Sequence, residues 1–290
     1  VDQVSQEDPG TPALETLESV RPAFERQAAL ARAETERARA ALEAANLAES
    51  FWTELVGHLV RNELGSVLLH LNRSGEFLQS LSTGDDQTLD QLHQLRNSAT
   101  ASARETASKF GRLFPTTARN AGLRIDPSSR HPKYTFYNGF VRLELDEKKL
   151  VARLQSREGE EVEYGLDLAL IIAALKAEIS RIFERDLNPE PFLRSLHKAY
   201  TAVLRSDKLS DGTEVPIRRV SNRLGKNLSR FSTEEFNVDL ARVVQSGHTS
   251  VEGRQLHLNH TRNTRQGMLL HGLEQGGYVG FISFKTEEHR

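Results

Sequence analysis

The stretch VRLELDEKKLVARLQSREGEEVEY, residues 141–164, decides the fold class. Val141, Leu143 and Leu145 alternate with Arg142, Glu144 and Asp146. Leu150, Ala152 and Leu154 alternate with Val151, Arg153 and Gln155, and Val162 and Tyr164 with Glu161 and Glu163. Successive side chains on a strand point to opposite faces, so this pattern predicts a three-strand antiparallel meander with one dry face. The turns fall at Glu147-Lys148 and Arg157-Glu158-Gly159. A half-dry sheet needs a cover. Leu166 to Phe183 supplies one, with Leu168, Leu170, Ile171, Ile172, Leu175, Ile179 and Ile182 at helical spacing.

Upstream the period changes from two to 3.6. Residues 1–12 are acidic and carry Pro9, Gly10 and Pro12, which predicts a disordered tail. Helical periodicity then runs from Ala13 to about Ser82, breaks at Thr83-Gly84-Asp85-Asp86, and restarts with Leu89, Leu92, Leu95, Phe110 and Leu113. A helical hairpin or small bundle over 13–114 follows. Gln27 to Ala45 is built from strong helix formers, yet Leu30 and Leu42 are its large apolar groups. A helix so polar cannot drive its own burial, so it is a solvated arm or lies against another helix, in this molecule or a second one. Leu30, Leu42, Phe51 and Trp52 are the candidate partner-binding residues. Residues 115–187 read as a Pro- and Gly-rich connector, 115–132, followed by the meander and its helix.

Downstream, Asn188 before Pro189 reads as a helix start, and Phe192, Leu193, Leu196, Tyr200, Val203 and Leu204 as its buried stripe. A second helix can begin at Pro216 with Ile217, Val220, Leu224 and Leu228 in phase. Ser232-Thr233-Glu234-Glu235 reads as a reciprocal capping box for a third, carrying Phe236, Leu240, Val243 and Val244 and stopped by Gly247. Arg254 to Thr261 and Tyr278 to Lys285 are strand-like. The chain is therefore α+β: a helical N-terminal module, a central meander with a covering helix, and a mixed domain over 188–290.

Three short helices followed by a β-hairpin is the element order of a winged-helix domain, and residues 188–286 resemble one in order and length. In DNA-binding members of that family the third helix usually enters the major groove. Here Glu234, Glu235 and Asp239 would face the phosphates with Arg242 in compensation, leaving an acidic outer surface that opposes such binding. A helical arm joined to a winged-helix end also resembles kleisin-like subunits of chromosome-organising complexes, which implies macromolecular assembly.

Composition narrows the choice of partner. With 290 residues and no cysteine, the chain has room for two or three units and lacks disulfides, thiolate metal sites and a cysteine nucleophile. No apolar run reaches the ~18 residues of a membrane span, and the acidic start is unlike a signal peptide, so a cytoplasmic location is expected. Net charge is −2, divided as +4 over residues 188–290 and −6 over the rest. Cations gather at Arg218, Arg219, Arg223, Lys226 and Arg230, with Arg254, Arg262 and Arg265 in the wing. Those eight are the candidate nucleic-acid contacts, although no aromatic residues interleave with them as a single-strand platform requires.

Other constellations carry less. His257 and His260 are three apart on a strand, which sends their rings to opposite faces and makes a poor metal pair. The glycine-rich segment Gly272 to Gly280 lacks both the P-loop lysine and a following helix, and reads as a wing turn. Glu144 and Asp146, with His131 from Ser129-Arg130-His131-Pro132-Lys133-Tyr134, could suggest a metal-assisted hydrolase, but they read as a hairpin tip and a connector. No cofactor is expected. The sequence favours a non-enzymatic interaction or assembly subunit, with a DNA-binding regulator or accessory factor as the alternative and a metal-assisted hydrolase as a further one.

Overall fold

The computed structural model describes residues 11–81, 86–226, 231–271 and 278–286. The expected tail falls mostly outside them, as do the turn at 83–85, Leu228, Arg230 and the glycine-rich loop 272–277. The helical module has four members: α1 Thr11–Val60, α2 Leu64–Arg73, α3 Gly75–Leu81 and α4 Asp86–Asn120. At 1.5 Å per residue the 50-residue α1 is about 75 Å long, and from residue 19 on it is anchored to the body near its C-terminal end. There Phe51 and Leu55 are buried and Ala48 and Trp52 pack beside them. The Phe51 ring lies 4.6 Å from Phe77 and 4.9 Å from His70.

α4 buries Leu92, Ala99, Ala103, Ala107, Phe110, Phe114 and Ala118 on one stripe. Its small residues leave room for α2, its main helical neighbour. The expected connector beginning at Pro115 is corrected here, because the helix runs through Pro115 to Asn120. A proline inside a helix removes one backbone hydrogen bond. Burial of Phe114 and Ala118 on either side outweighs that loss. The end is closed by Leu123 N–H donating to the Ala118 carbonyl at 2.9 Å and Gly122 N–H to that of Arg119 at 2.9 Å.

The central sheet has four strands rather than three: β1 Lys133–Phe136, β2 Val141–Asp146, β3 Val151–Ser156 and β4 Glu161–Gly165, paired antiparallel in that order. The extra strand is β1, whose Tyr134 and Phe136 are buried. Four residues just past the polar connector were too short a run for alternation to stand out. Leu150, expected on the dry face, instead sits in the β2–β3 turn with φ of 57°. The cover is α5, Leu168–Ile179, which buries Ile171, Ile172, Leu175 and Ile179 and continues into a π-helical turn, Ser180–Glu184.

One hydrophobic core spans the helical module and the sheet, from Phe51 to Ile182. Asp167, just before α5, holds the two together by capping the start of α2 from a distance in sequence. Its carboxylate accepts from Gly65 N–H at 3.0 Å, Ser66 N–H at 2.7 Å and the Ser66 hydroxyl at 2.6 Å. The backbones cross here so closely that a β-carbon on Gly165 would stand 2.2 Å from the Gly65 carbonyl carbon.

The C-terminal unit comprises α6 Pro189–Asp207, β5 Val215–Pro216, α7 Ile217–Gly225, α8 Thr233–Gln245, β6 Ser250–Val251, β7 Arg254–Thr261, β8 Met268–Leu269 and β9 Tyr278–Thr286. Its antiparallel sheet runs β5-β9-β7-β6, with β8 also on β9. Leu196, Tyr200, Ile217, Val220, Leu240, Ile282 and Phe284 lie in a second core between helices and sheet. Pro189 opens α6 as expected, but the Asn188 side chain makes no cap hydrogen bond. The capping box of α8 is half formed: Ser232 Oγ accepts from Glu235 N–H at 3.3 Å. The Glu235 carboxylate is drawn instead to Arg181 and Arg185.

Candidate interaction surfaces

Three surfaces are candidates for a functional role, and the first is α1. From residue 19 to 47 every side chain is exposed except Ala33, which is half-buried, so at 1.5 Å per residue about 40 Å of helix stands free of the body. Phe24 is 68 % exposed, Leu30 63 % and Leu42 61 %. Of the four residues expected to bind a partner, Leu30 and Leu42 are thus open. Phe51 is corrected: at 3 % exposure it is a core residue, because it ends the arm against α2 and α3. Trp52 is half-buried against the same core.

Leu30 and Leu42 do not share a face of the helix, being twelve residues, or a third of a turn out of phase, apart. A different line does repeat in heptads: Phe24, Ala28, Ala31, Thr35, Ala38, Leu42 and Ala45, alternately four and three residues apart. Arg21, Arg26, Arg32, Arg37 and Arg39 are balanced over 19–50 by Glu25, Glu34, Glu36, Glu43 and Glu49. An arm with no excess charge has no electrostatic reason to follow a polyanion.

The second surface is the seam between the body and the C-terminal unit, which corrects the reading of α8. Its acidic side is not an outer surface: Glu234 and Asp239 are buried, and Val238 on the same side enters the first core. Arg181 in the π-helical turn reaches Glu178 at 2.8 Å, Glu234 at 2.7 Å and also Glu235. Arg185 holds Glu235 at 3.1 Å and also Asp239, while Arg242 donates to the Arg185 carbonyl at 2.7 Å. The acids that looked repulsive toward phosphate are there to dock α8 on two arginines.

Their protonation reflects the competition between burial and pairing. Hydrogen bonding to Glu178, then to Glu234 and Glu235, raises the Arg181 pKa. Burial pushes Glu234 upward, but its backbone N–H bond and Arg181 outweigh that and hold it below the usual carboxylate range. For Asp239 burial wins over the attraction of Arg185 and Arg242, and its pKa rises to about 6. Beside this cluster Tyr137 stacks on Phe183 at 4.0 Å, and His271 from the C-terminal unit meets Phe183 at 4.8 Å. Burial lowers the His271 pKa.

The third surface is the basic set of the C-terminal unit. Three of its eight members are committed to carboxylates: Arg218 to Glu158 at 3.1 Å, Arg219 to Asp207 at 2.7 Å, and Arg254 to Asp211 at 2.5 Å. Arg218, a candidate nucleic-acid contact, is half-buried because it bridges α7 to the β3–β4 turn and to the Gly267 carbonyl. Arg223, Lys226, Arg262 and Arg265 are exposed and form no ion pair among the described residues. Arg230 lies outside those residues.

The remaining candidates scatter. Glu144 pairs with Lys133 at 3.2 Å, and Asp146 accepts from the backbone N–H of Lys148 and Lys149 and from Arg153. His131 bonds Glu147 at 2.9 Å and the Tyr134 hydroxyl at 3.2 Å. Among the described residues no group of three or more His, Asp or Glu side chains is placed to hold a metal ion. His257 and His260 are both exposed. No helix among these residues is long and apolar enough to cross a membrane. Comparison with protein-family models, with curated proteins and with solved structures finds no match.

Sequence reasoning missed the docking arginines. Arg181 and Arg185 follow an apolar helix, and their spacing of four resembles any solvated face. The signal lay in Glu234, Glu235 and Asp239, whose spacing along α8 is complementary to it.

Proposed function

We propose that the chain is a non-enzymatic assembly subunit that joins a second copy of itself through α1. The observation that carries this is the 19–47 arm, which is helical, exposed and marked by a heptad line of small and apolar residues. Alanines let two backbones approach closely, while Phe24 and Leu42 fill the ends of the seam. In a parallel pair, residues flanking the seam meet five positions apart, which sets Glu34 of one copy against Arg39 of the other. Light scattering on the intact chain is expected to give twice the 32.5 kDa chain mass. The double substitution Phe24→Glu and Leu42→Glu is expected to give a single chain. A monomer for both proteins refutes the reading.

A winged-helix-like end is part of the same proposal. It is supported by the order α6, β5, α7, α8, β7, β9 and by β9 lying between β5 and β7. In that resemblance α8 holds the place of the groove-reading helix, and its acidic side is covered by Arg181 and Arg185. The unit thus serves chiefly for protein contact, here within the chain. A second reading, direct contact with DNA, is favoured by one observation: Arg223, Lys226, Arg262 and Arg265 are exposed without carboxylate partners among the described residues. Replacing those four with Ala is then expected to flatten the slope of log affinity against log salt for a duplex probe. An unchanged slope removes that surface.

A further inference from the structure

The segment after α4 builds a concavity walled by arginines. A cavity of 600 Å³ opens between the end of α4 and the loop leading to β1. Its ionisable walls are Arg119, Arg124, Arg130 and His131, with the Tyr134 ring and Ser129 beside them, and no carboxylate lines it. Six arginines elsewhere meet acids: Arg153 has three, Arg181 three, Arg185 two, and Arg218, Arg219 and Arg254 one each, whereas Arg223, Arg262 and Arg265 share the unpaired state among the described residues but line no cavity with one another there. Arg119 and Arg124 have no ion pair or side-chain hydrogen bond among the described residues. Among the described residues the Arg130 guanidinium donates to the carbonyls of Pro127 and Ser129 and to no carboxylate.

The nearby acids are turned to other work. Glu147 bonds His131 through Nε2, and the Asp126 carboxylate accepts from the backbone N–H of Asn138 and Gly139. Arg119 stands in the last turn of α4, where a cation is favoured by the helix dipole. Arg124 and Arg130 lie beyond the helix and have no such reason to converge. The floor is fixed: Phe110, Phe114 and Tyr134 stack beneath it, and Gly111 admits the His131 ring against α4, where a β-carbon would stand 3.3 Å from it.

We propose that this cavity is a binding site for a phosphorylated small molecule carrying two or more phosphate-type charges. Guanidinium groups match phosphate oxygens with paired N–H donors, and three of them around one hollow can neutralise several charges at once. The volume falls within the range of small-molecule sites, about 300 to 1,000 Å³. Leu123, Ile125 and Pro115 add apolar wall for the uncharged part of such a ligand.

Isothermal titration calorimetry of the intact chain with tripolyphosphate, inorganic phosphate and a 20-base-pair DNA duplex tests this. Tripolyphosphate is expected to bind, and inorganic phosphate at least about tenfold more weakly, because it cannot span three guanidinium groups. Arg119→Gln, Arg124→Gln and Arg130→Gln are each expected to weaken tripolyphosphate by about tenfold, and together to abolish its binding. These side chains are exposed, so the thermal midpoint is expected to stay put, and Arg104→Gln, exposed elsewhere on α4, to leave affinity unchanged. Absence of tripolyphosphate binding overturns the proposal, as does equal affinity for native and triply substituted chains. Duplex binding that depends on the three arginines without tripolyphosphate binding overturns it in favour of nucleic acid.

Discussion

Replacing Arg181 with methionine removes one guanidinium from three carboxylates, and the structure indicates which of them is stranded. Glu235 keeps Arg185 at 3.1 Å, and Glu178 lies on the same helical run, but Glu234 has no other arginine or lysine partner among the described residues. Breaking a fully buried ion pair costs roughly 3–5 kcal/mol, and losing an exposed one about 0–1 kcal/mol. The Glu234 side chain is 10 % accessible and that of Arg181 37 %, so solvent screens one partner and hardly the other. A loss of about 2 kcal/mol is expected, between those limits. For a chain of this size that lowers the thermal midpoint by about 4–8 °C. The assay is a double-mutant cycle by thermal denaturation with Arg181→Met, Glu234→Gln and both. Since the neutral glutamine no longer needs the cation, the double variant is expected to recover about 1 kcal/mol relative to the sum of the single changes. Effects that add to within about 0.3 kcal/mol refute the view that this pair docks α8.

Four further outcomes are expected elsewhere in the fold. Asp167→Ala, which removes three hydrogen bonds to the start of α2, is expected to lower stability by about 1–3 kcal/mol in urea denaturation. Phe51→Ala should lose about 3–5 kcal/mol as a core deletion. Leu30→Ala on the free arm should change stability by less than about 0.5 kcal/mol under conditions where the chain is monomeric. Asp239, with a folded pKa of about 6 against an unfolded value of 3.8, binds a proton more tightly in the folded state. Its contribution is therefore complete below pH about 4 and lost as pH rises through 6, so that the folded chain weakens over that window. Asp239→Asn is expected to remove this fall from the stability–pH curve.

Much of the architecture could be read from the period of the apolar residues. The switch from 3.6 to two at Val141, and back at Leu166, set the sheet and its cover, and among the described residues the stripes of α6, α7 and α8 fell where their leucines and valines predicted. What failed was local context overruled by distant contact. Pro115 looked like a helix end, yet Phe114 and Ala118 are both buried, and that burial carries the helix past it. Tyr134 and Phe136 gave too short a run to announce a strand. The acids of α8 were legible as a charged face, but not the arginines fifty residues earlier that neutralise them. The arginine-walled cavity was half visible, since Ser129-Arg130-His131 stood out as a polar tract. Its convergence with Arg119 and Arg124 depends on the path of the chain after Asn120.

The proposed pairing of α1 with its own copy, taken as parallel, is directly measurable because the sequence has no cysteine. A single Ala38→Cys substitution puts one thiol on the heptad line, where in a parallel pair it faces the same residue of the second copy. Mild oxidation is expected to convert most of that protein to a covalent dimer on a non-reducing gel, while Glu36→Cys, on the opposite side of the helix, stays monomeric. Equal cross-linking at both positions, or none at Ala38→Cys, would contradict it.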